Sequence, residues 1–502
     1  MAPLTSRASI CCLALYSALG RKVSFPGNAT YTESLQSYFS LQEAAIHPAC
    51  IVSAHTTEDV SAAVQILTTT TTSVGGDAPG SSVGCHFAIR SGGHASFPGA
   101  ANIAGGVTID LSRLSKIVIS HLGVSGGTPA VSVTPTLSVG PGSTWGDVYA
   151  HLDKLHLSVS GGRAAGVGVG GLTLGGGISY FGPRLGWTCD SVTSFEVVLG
   201  NGTVVNASND ENPDLLWALR GSANNFGVVT RVDLRTFSQR DLWGGEVVRP
   251  FDTAEPQIVA LAEFNDPKHY DEYASLITTF AYSGTQGLQV VVNDMHYTKP
   301  LANPPVFQSL TSMPAYSSTQ RITNISDLVA ETQANDPSGL RQASATLTIA
   351  SSVAAINATV RAWNASITAI RAVPDIVWSV GMDPLPQQLY ARHAGANALG
   401  LDNRDGRALI IINLTAMWSD AADDNTIDKA TRSLIAAIRR DVGELDALDT
   451  YLYLNYAAPW QHPIESYGEV SVKKLRRVQR MYDPGLVFTR LVPGAFKVPN
   501  DV

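Results

Sequence analysis

The run TEDVSAAVQIL, opening on a capping Thr57, sets Val60, Val64 and Leu67 at the spacing of one helix face. CHFAIR follows as a short apolar strand, and GVTIDLSRL and AVSVTPTLSVGPGS predict two more. STWGDVYAHLDKL returns to helical spacing, with Trp145, Val148, Leu152 and Leu155 along one side. SVTSFEVVLGNGTVVNAS predicts a hairpin turning on Asn201-Gly202, because Asn-Gly accepts the positive backbone angles of a tight turn. NPDLLWALRGSANNFGVVTRVDLRTF then reads as a helix, a loop and a strand. This first part is an α+β unit.

The composition shifts near 237–255, where scattered prolines and polar residues predict a domain boundary. Between 250 and 450, helical patterns such as TIDKATRSLIAAIRR alternate with strand patterns such as GLQVVVNDMHYT and ALIIINLTAMW, a second α+β domain. The expected division is therefore 1–240, with a core at about 46–238, then 241–450 and a closing segment 451–502. In that segment YLYLNY reads as a strand, which puts Tyr453 and Asn455 on one face and Tyr456 on the other. SVKKLRRVQRMYDPGLVF is a helix ended by Asp483-Pro484.

The 502 residues are 44% hydrophobic and 15% charged, enough for two or three packed domains. A net charge of -8 and the lack of a dense basic run argue against nucleic acid. No run of about eighteen apolar residues exists, so no membrane span is expected. The 45 glycines gather near 91–106 and 161–177, where backbone must pass close to a ligand, so a small molecule is the expected partner.

The five cysteines (Cys11, Cys12, Cys50, Cys85, Cys189) show no metal-ligand spacing, so no metal is expected. They form one or two disulfides in an oxidising compartment, or are five buried thiols otherwise. Arg7 and ICCLALYSALG read as a signal peptide or an amphipathic first helix, with the helix preferred. Sequons at Asn28, Asn201, Asn206, Asn324, Asn357, Asn364 and Asn413 suggest a secreted or endomembrane glycoprotein.

Gly166-x-Gly168-x-x-Gly171 has the spacing of a Rossmann fingerprint, but Gly175, Gly176 and Gly177 follow too closely for the helix that fingerprint needs. A nest of backbone N–H groups suited to a pyrophosphate is the better expectation. His94 stands directly behind Gly92 and Gly93.

Taken with these two segments, AIRSGGH, VGPGSTWGDVY, GVGVGGLTLGGGISYFGPRLGWTCDSV, WALRGSANNFGVVT and YLNYAAPWQHPIESYG...VQRMYDPGLVF resemble the FAD-linked oxidases of the vanillyl-alcohol-oxidase superfamily, in the berberine-bridge-enzyme-like branch. The likeness runs over roughly residues 12 to 498. It implies a two-lobed FAD-binding domain of the PCMH type, returned to by the C-terminal segment, and a substrate domain whose antiparallel sheet is covered by helices.

It also implies that His94 is bonded to the 8α-methyl of the flavin. The second link of bicovalent members is not expected, since Ala164 stands at the cysteine position and Leu172 at that of a frequent histidine, so a somewhat less oxidising flavin follows. The cofactor-binding positions carried over are Arg90, Ser91, Gly92, Gly93, Gly142, Gly162, Gly166, Val167, Gly170, Gly171, Thr173, Gly176, Gly177, Val228 and Asn455. Val167 matches the position that leaves oxygen access to the flavin.

The catalytic candidates are Tyr453, Tyr456 and Gln461, with Tyr453 preferred as base, Asp383 a weaker candidate and Tyr180 a pocket wall. His462, a lone histidine before proline, reads as a surface residue. The implied activity is hydride transfer from a small organic substrate, a secondary metabolite or a carbohydrate, to FAD, with dioxygen reduced to hydrogen peroxide by a monomeric enzyme. A flavin-holding cyclase without net redox chemistry is the rival.

Overall fold

The computed structural model describes residues 7–70, 84–120, 135–402, 404 and 406–499. The first half is two small sheets. One has four strands in the order Val23–Ser24, Cys50–Ser53, Val107–Asp110, Phe87–Arg90, the last three parallel. Nearly every position of these strands is buried, polar ones included, with one face against the helix Thr57–Thr69, whose Val60, Val64 and Leu67 are fully buried. That helix is capped one residue earlier than expected, by Thr56, because its hydroxyl and the Asp59 carboxylate close a capping box.

The other sheet is antiparallel, in the order Ile117–Ile119, Thr136–Val139, Val228–Arg235, Val192–Val198, Val204–Ser208. Its last two strands are the expected hairpin, with Gly202 at φ 82° in the turn. Of the strands expected in AVSVTPTLSVGPGS, Thr136–Val139 is present and Val131–Thr134 lies outside the described residues. The helix Trp145–Asp153 buries Trp145, Val148 and Leu152, but Leu155 falls beyond its end and is half exposed.

A nine-stranded antiparallel sheet dominates the second half, from Leu242–Pro250 to Leu448–Asp449. Strict alternation assigns its faces. Val380, Met382, Ile410, Ile412 and Leu414 pack under the helices Val353–Ile370 and Asp424–Gly443, whereas Leu409 and Ile411 join the core of the first half. The second face of this sheet therefore looks onto the glycine-rich segments. The helix Ile325–Asn335 reaches back to Trp145–Asp153, and the terminal helix Glu469–Tyr482 packs on Pro213–Leu219.

Two disulfides, Cys11–Cys85 and Cys12–Cys50, pin the first helix Arg7–Leu19 to the four-stranded sheet, and Cys189 is a buried free thiol. Asn413 lies on the central strand Leu409–Trp418 with its Oδ1 buried, a poor position for a glycan, while Asn28, Asn357 and Asn364 are exposed. No described helix is long and apolar enough to cross a membrane.

Candidate functional site

The strand Phe87–Arg90 ends in a turn that Gly93 takes at φ 68°. A Cβ at Gly93 would meet the Tyr38 ring and Arg90 Nε, both at 2.9 Å. Arg90 is buried and gives both terminal nitrogens of its guanidinium to Ser34, Ser37 and Asp110 beneath the Tyr38 ring, while its Nε has no partner among the described residues. It braces the turn. His94, next along, is enclosed with its Nε2 unpartnered among the described residues, and burial pulls its imidazole down to about 4. The ring is therefore neutral at ordinary pH, with a lone pair available.

The second glycine segment lies directly on this turn. A Cβ at Gly92 would sit 2.6 Å from Gly168 Cα, and one at Gly170 would sit 2.8 Å from Ser91 Oγ. Both contacts need bare backbone. The expectation that no helix forms here is overturned: Val169–Leu174 is a short helix, held by Val169 N–H to the Ser143 carbonyl, by Thr173 Oγ1 to the Val169 carbonyl, and by Asn455 Nδ2 to the Leu172 carbonyl. Tertiary hydrogen bonds outweigh the glycine propensity, and Gly176 and Gly177 then turn the chain away with φ of 105° and 84°.

The other carried-over positions differ in how closely they are packed. Gly142 packs on the Leu111 carbonyl and Gly162 on the Trp145 ring, while Gly171 has open space around it. Gly166 N–H donates to Gln333 Oε1 at 2.7 Å, Val167 is half-buried, and Val228 is buried at the head of its strand.

At the start of the same segment stands Arg163, which sequence reasoning passed over. Its Nη1 lies 2.5 Å from Asp383 Oδ1 and its Nη2 2.5 Å from Tyr456 Oη. Burial opposes the guanidinium charge, yet Asp383 and Tyr456 hold Arg163 above its ordinary range. Burial likewise raises Tyr456, against the pull of Arg163, and the neighbouring Asp383 carboxylate adds to the rise. A phenol, a carboxylate and a guanidinium thus form one enclosed proton-handling group.

YLYLNY is not a strand. Leu454–Tyr456 is a single 3₁₀ turn, because Tyr453 and Asn455 bond across to the glycine segment rather than along a ladder. Tyr453 Oη accepts from Ile178 N–H at 3.1 Å and from Asn455 Nδ2 at 3.0 Å, with its ring stacked on Trp187, and burial pushes it up to about 12. Gln461 is spent on backbone: Oε1 accepts from Thr346 and Ala458 N–H, and Nε2 donates to the Thr346 carbonyl. His462 is exposed beside Glu465.

Asp383 belongs to a row across the sheet. Ile277 pairs with Asp294 and Thr278 with Met382, so Asp294 and Asp383 flank Ile277, and Glu246 pairs with Asp294 on the far side. Burial first, and the Glu246 carboxylate second, push Asp294 up to about 7. Two residues on, His296 stacks on Tyr180 at 3.7 Å and burial pulls it down to about 3. A cavity of about 30 Å³ adjoins Arg163 and Asp383, and shares Phe264, Tyr270 and Asp271 with an outer groove of about 690 Å³. These sizes admit a water inside and a drug-sized molecule outside.

The residues fit a flavin dinucleotide. His94 offers an orphaned ring nitrogen, and the crossing of Gly92 and Gly168 leaves backbone bare for close approach. No group of acidic, histidine or cysteine side chains suited to a metal occurs among the described residues.

The family described as FAD binding domain matches residues 48–208. An oligopeptidase, PhomG', of Diaporthe leptostromiformis is 40% identical over 97% of this chain, which spans only 37% of that relative's length. The FAD-dependent monooxygenase tpcD of Cochliobolus heterostrophus is 34% identical over 94% of this chain and 89% of its own. Among solved structures, xylooligosaccharide oxidase from Myceliophthora thermophila, in complex with xylobiose, superposes with a TM-score of 0.75 at 22% identity, covering 98% of this chain and 100% of that one. Glucooligosaccharide oxidase from Acremonium strictum, described with a 6-S-cysteinyl, 8α-N1-histidyl FAD, gives 0.72 at 18% identity over 97% and 98%.

Proposed function

Since the chain belongs to the berberine-bridge-enzyme-like FAD-linked oxidoreductases of the vanillyl-alcohol-oxidase superfamily, we propose that it oxidises a small organic molecule of secondary metabolism and passes the electrons to dioxygen, releasing hydrogen peroxide. One observation carries this reading: the segment Gly161 to Gly177 touches the His94 turn through Gly168 and bears Arg163, bonded to Asp383 and Tyr456, near its start.

Bound FAD would supply the hydride acceptor. His94 would hold it by a single covalent bond, because Ala164 offers no thiol where the Acremonium enzyme's description gives a cysteinyl link. Ser91, Gly92, Gly168 and Gly170 shape the backbone against it. Tyr456 relays the proton of a substrate hydroxyl, taking it at Oη as its own passes to Asp383 and so staying a neutral phenol, while Arg163 steadies the negative charge in transit. Tyr453 acts as a strut rather than as the base. Val167, a small half-buried side chain, would leave dioxygen access to the bound flavin. The two disulfides support folding in an oxidising compartment, secreted or endomembrane.

A second reading, insertion of an oxygen atom, is favoured by the names of relatives such as tpcD. Metabolite profiling with and without the gene identifies the substrate, and anaerobic mixing with it should then bleach the flavin band at about 450 nm. Under ¹⁸O₂ the oxidase reading expects label in the peroxide. Label in the product, with a nicotinamide added as reductant where the substrate does not itself reduce the flavin, establishes the monooxygenase, and a flavin that neither substrate nor nicotinamide bleaches leaves the non-redox cyclase.

A further inference from the structure

We propose that Phe39 is the positioning residue for covalent attachment of the flavin, holding the His94 ring edge-on for bond formation. The inference rests on the reading that His94 carries the flavin.

Two independent contacts join Phe39 to this turn. Its ring lies flat on the His94 imidazole, with centroids 3.9 Å apart and planes 12° apart, and its backbone N–H donates to the Gly93 carbonyl at 3.0 Å. On the other side the Phe39 carbonyl accepts from Gly339 N–H, and Ser96 and Ser344 hydroxyls meet at 2.7 Å. The turn is thereby clamped to the second half of the chain. Phe39 is itself 7% exposed, so the stack is dry.

The arrangement has a chemical consequence. Stacking covers one face of the imidazole and fixes the plane in which its nitrogen lone pairs lie, and the buried Nε2 at its edge has no hydrogen-bond partner among the described residues. Attachment forms a bond from an imidazole nitrogen to the 8-methyl carbon of the flavin. The methyl C–H and imidazole N–H protons leave, and two electrons pass through the flavin to dioxygen, which with the two protons gives hydrogen peroxide. Such a step depends on the alignment of the attacking lone pair, and a freely turning ring loses it. Burial, which keeps His94 neutral, supplies the nucleophilic form.

The test uses the purified holoprotein and reads the fraction of bound flavin that stays with the polypeptide after acid precipitation. Phe39→Ala, and Phe39→Leu with its apolar volume but no flat face, should lower that fraction at least tenfold while total FAD per chain stays within twofold of native. Phe39→Tyr should restore it. A covalent fraction within twofold of native in both the Ala and Leu variants would make Phe39 simple packing. Parallel loss of total FAD, or failure of Phe39→Tyr to rescue, would also overturn the proposal. His94→Ala tests the underlying reading separately: if its denatured band still fluoresces under ultraviolet light, the His94 assignment fails whatever Phe39 does.

Discussion

Tyr453 and Tyr456 lie three residues apart, and their hydroxyls meet opposite chemistry. Tyr456 faces the Arg163 guanidinium and its Asp383 partner, whereas Tyr453 closes a hydrogen bond with the Ile178 backbone. Removing each hydroxyl should therefore produce different losses. Tyr456→Phe is expected to slow flavin reduction by about 10² to 10⁴-fold in stopped-flow mixing with the identified substrate, and, by leaving Arg163 Nη2 without its acceptor, to cost about 1–3 kcal/mol of stability as well. Tyr453→Phe leaves the Ile178 N–H unpaired and should cost about 1–3 kcal/mol of stability. Its reduction rate should stay within about threefold of native, a barrier change below about 1 kcal/mol. The reverse pattern would return the base to Tyr453.

Elements were legible in the sequence where one force dominates. Alternation over Leu288–Tyr297 and the long β-branched and apolar run of Leu409–Trp418 declared strands, and the helical stripe of Asp424–Gly443 declared itself, because apolar burial sets each pattern. The six-residue helix Val169–Leu174 was not legible, since its hydrogen bonds come from Ser143 and Asn455, far away in the chain. The turn at Leu454–Tyr456 was hidden for the same reason. His94 could be found from its glycines, but Phe39 and Arg163 sit in unremarkable local sequence and acquire meaning only through what the fold lays against them. The glycine crossing allows a test at this scale. Gly92→Ala would put Cβ 2.6 Å from Gly168 Cα and force the two segments apart, an overpacking cost of about 1–3 kcal/mol, with loss of bound FAD. Gly171→Ala meets no atom within 4 Å and improves helix propensity by about 1 kcal/mol, so its melting temperature should hold and any loss should be confined to FAD content.

At the scale of the whole molecule, the two halves enclose titratable groups that neither would bury alone, and stability should record them as pH changes. The nine-stranded sheet sets the Asp294 carboxyl opposite Glu246 and against the first half, where Arg163 is the nearest compensating cation and Glu331 and Asp383 add further negative charge. Two like charges directly across a strand pair disfavour joint ionisation, and enclosure adds to that effect. The folded carboxyl titrates at about 7 against an ordinary value of 3.8, so between these limits the folded chain holds a proton that the unfolded chain has released. Its contribution to stability is complete below the lower value and is lost as pH rises through the upper one. His94 and His296 act in the opposite sense: held down to about 4 and about 3, they favour the folded chain above the ordinary histidine range and withdraw that support as pH falls. Asp294→Asn isolates the first effect, because the amide keeps the shape and cannot ionise. In thermal melts, the native chain should be at least about 2 °C better relative to this variant at pH 5 than at pH 8. A difference between native and variant that is the same at both pH values would show that Asp294 is ionised in the folded chain throughout, and that the Arg163 charge outweighs its enclosure.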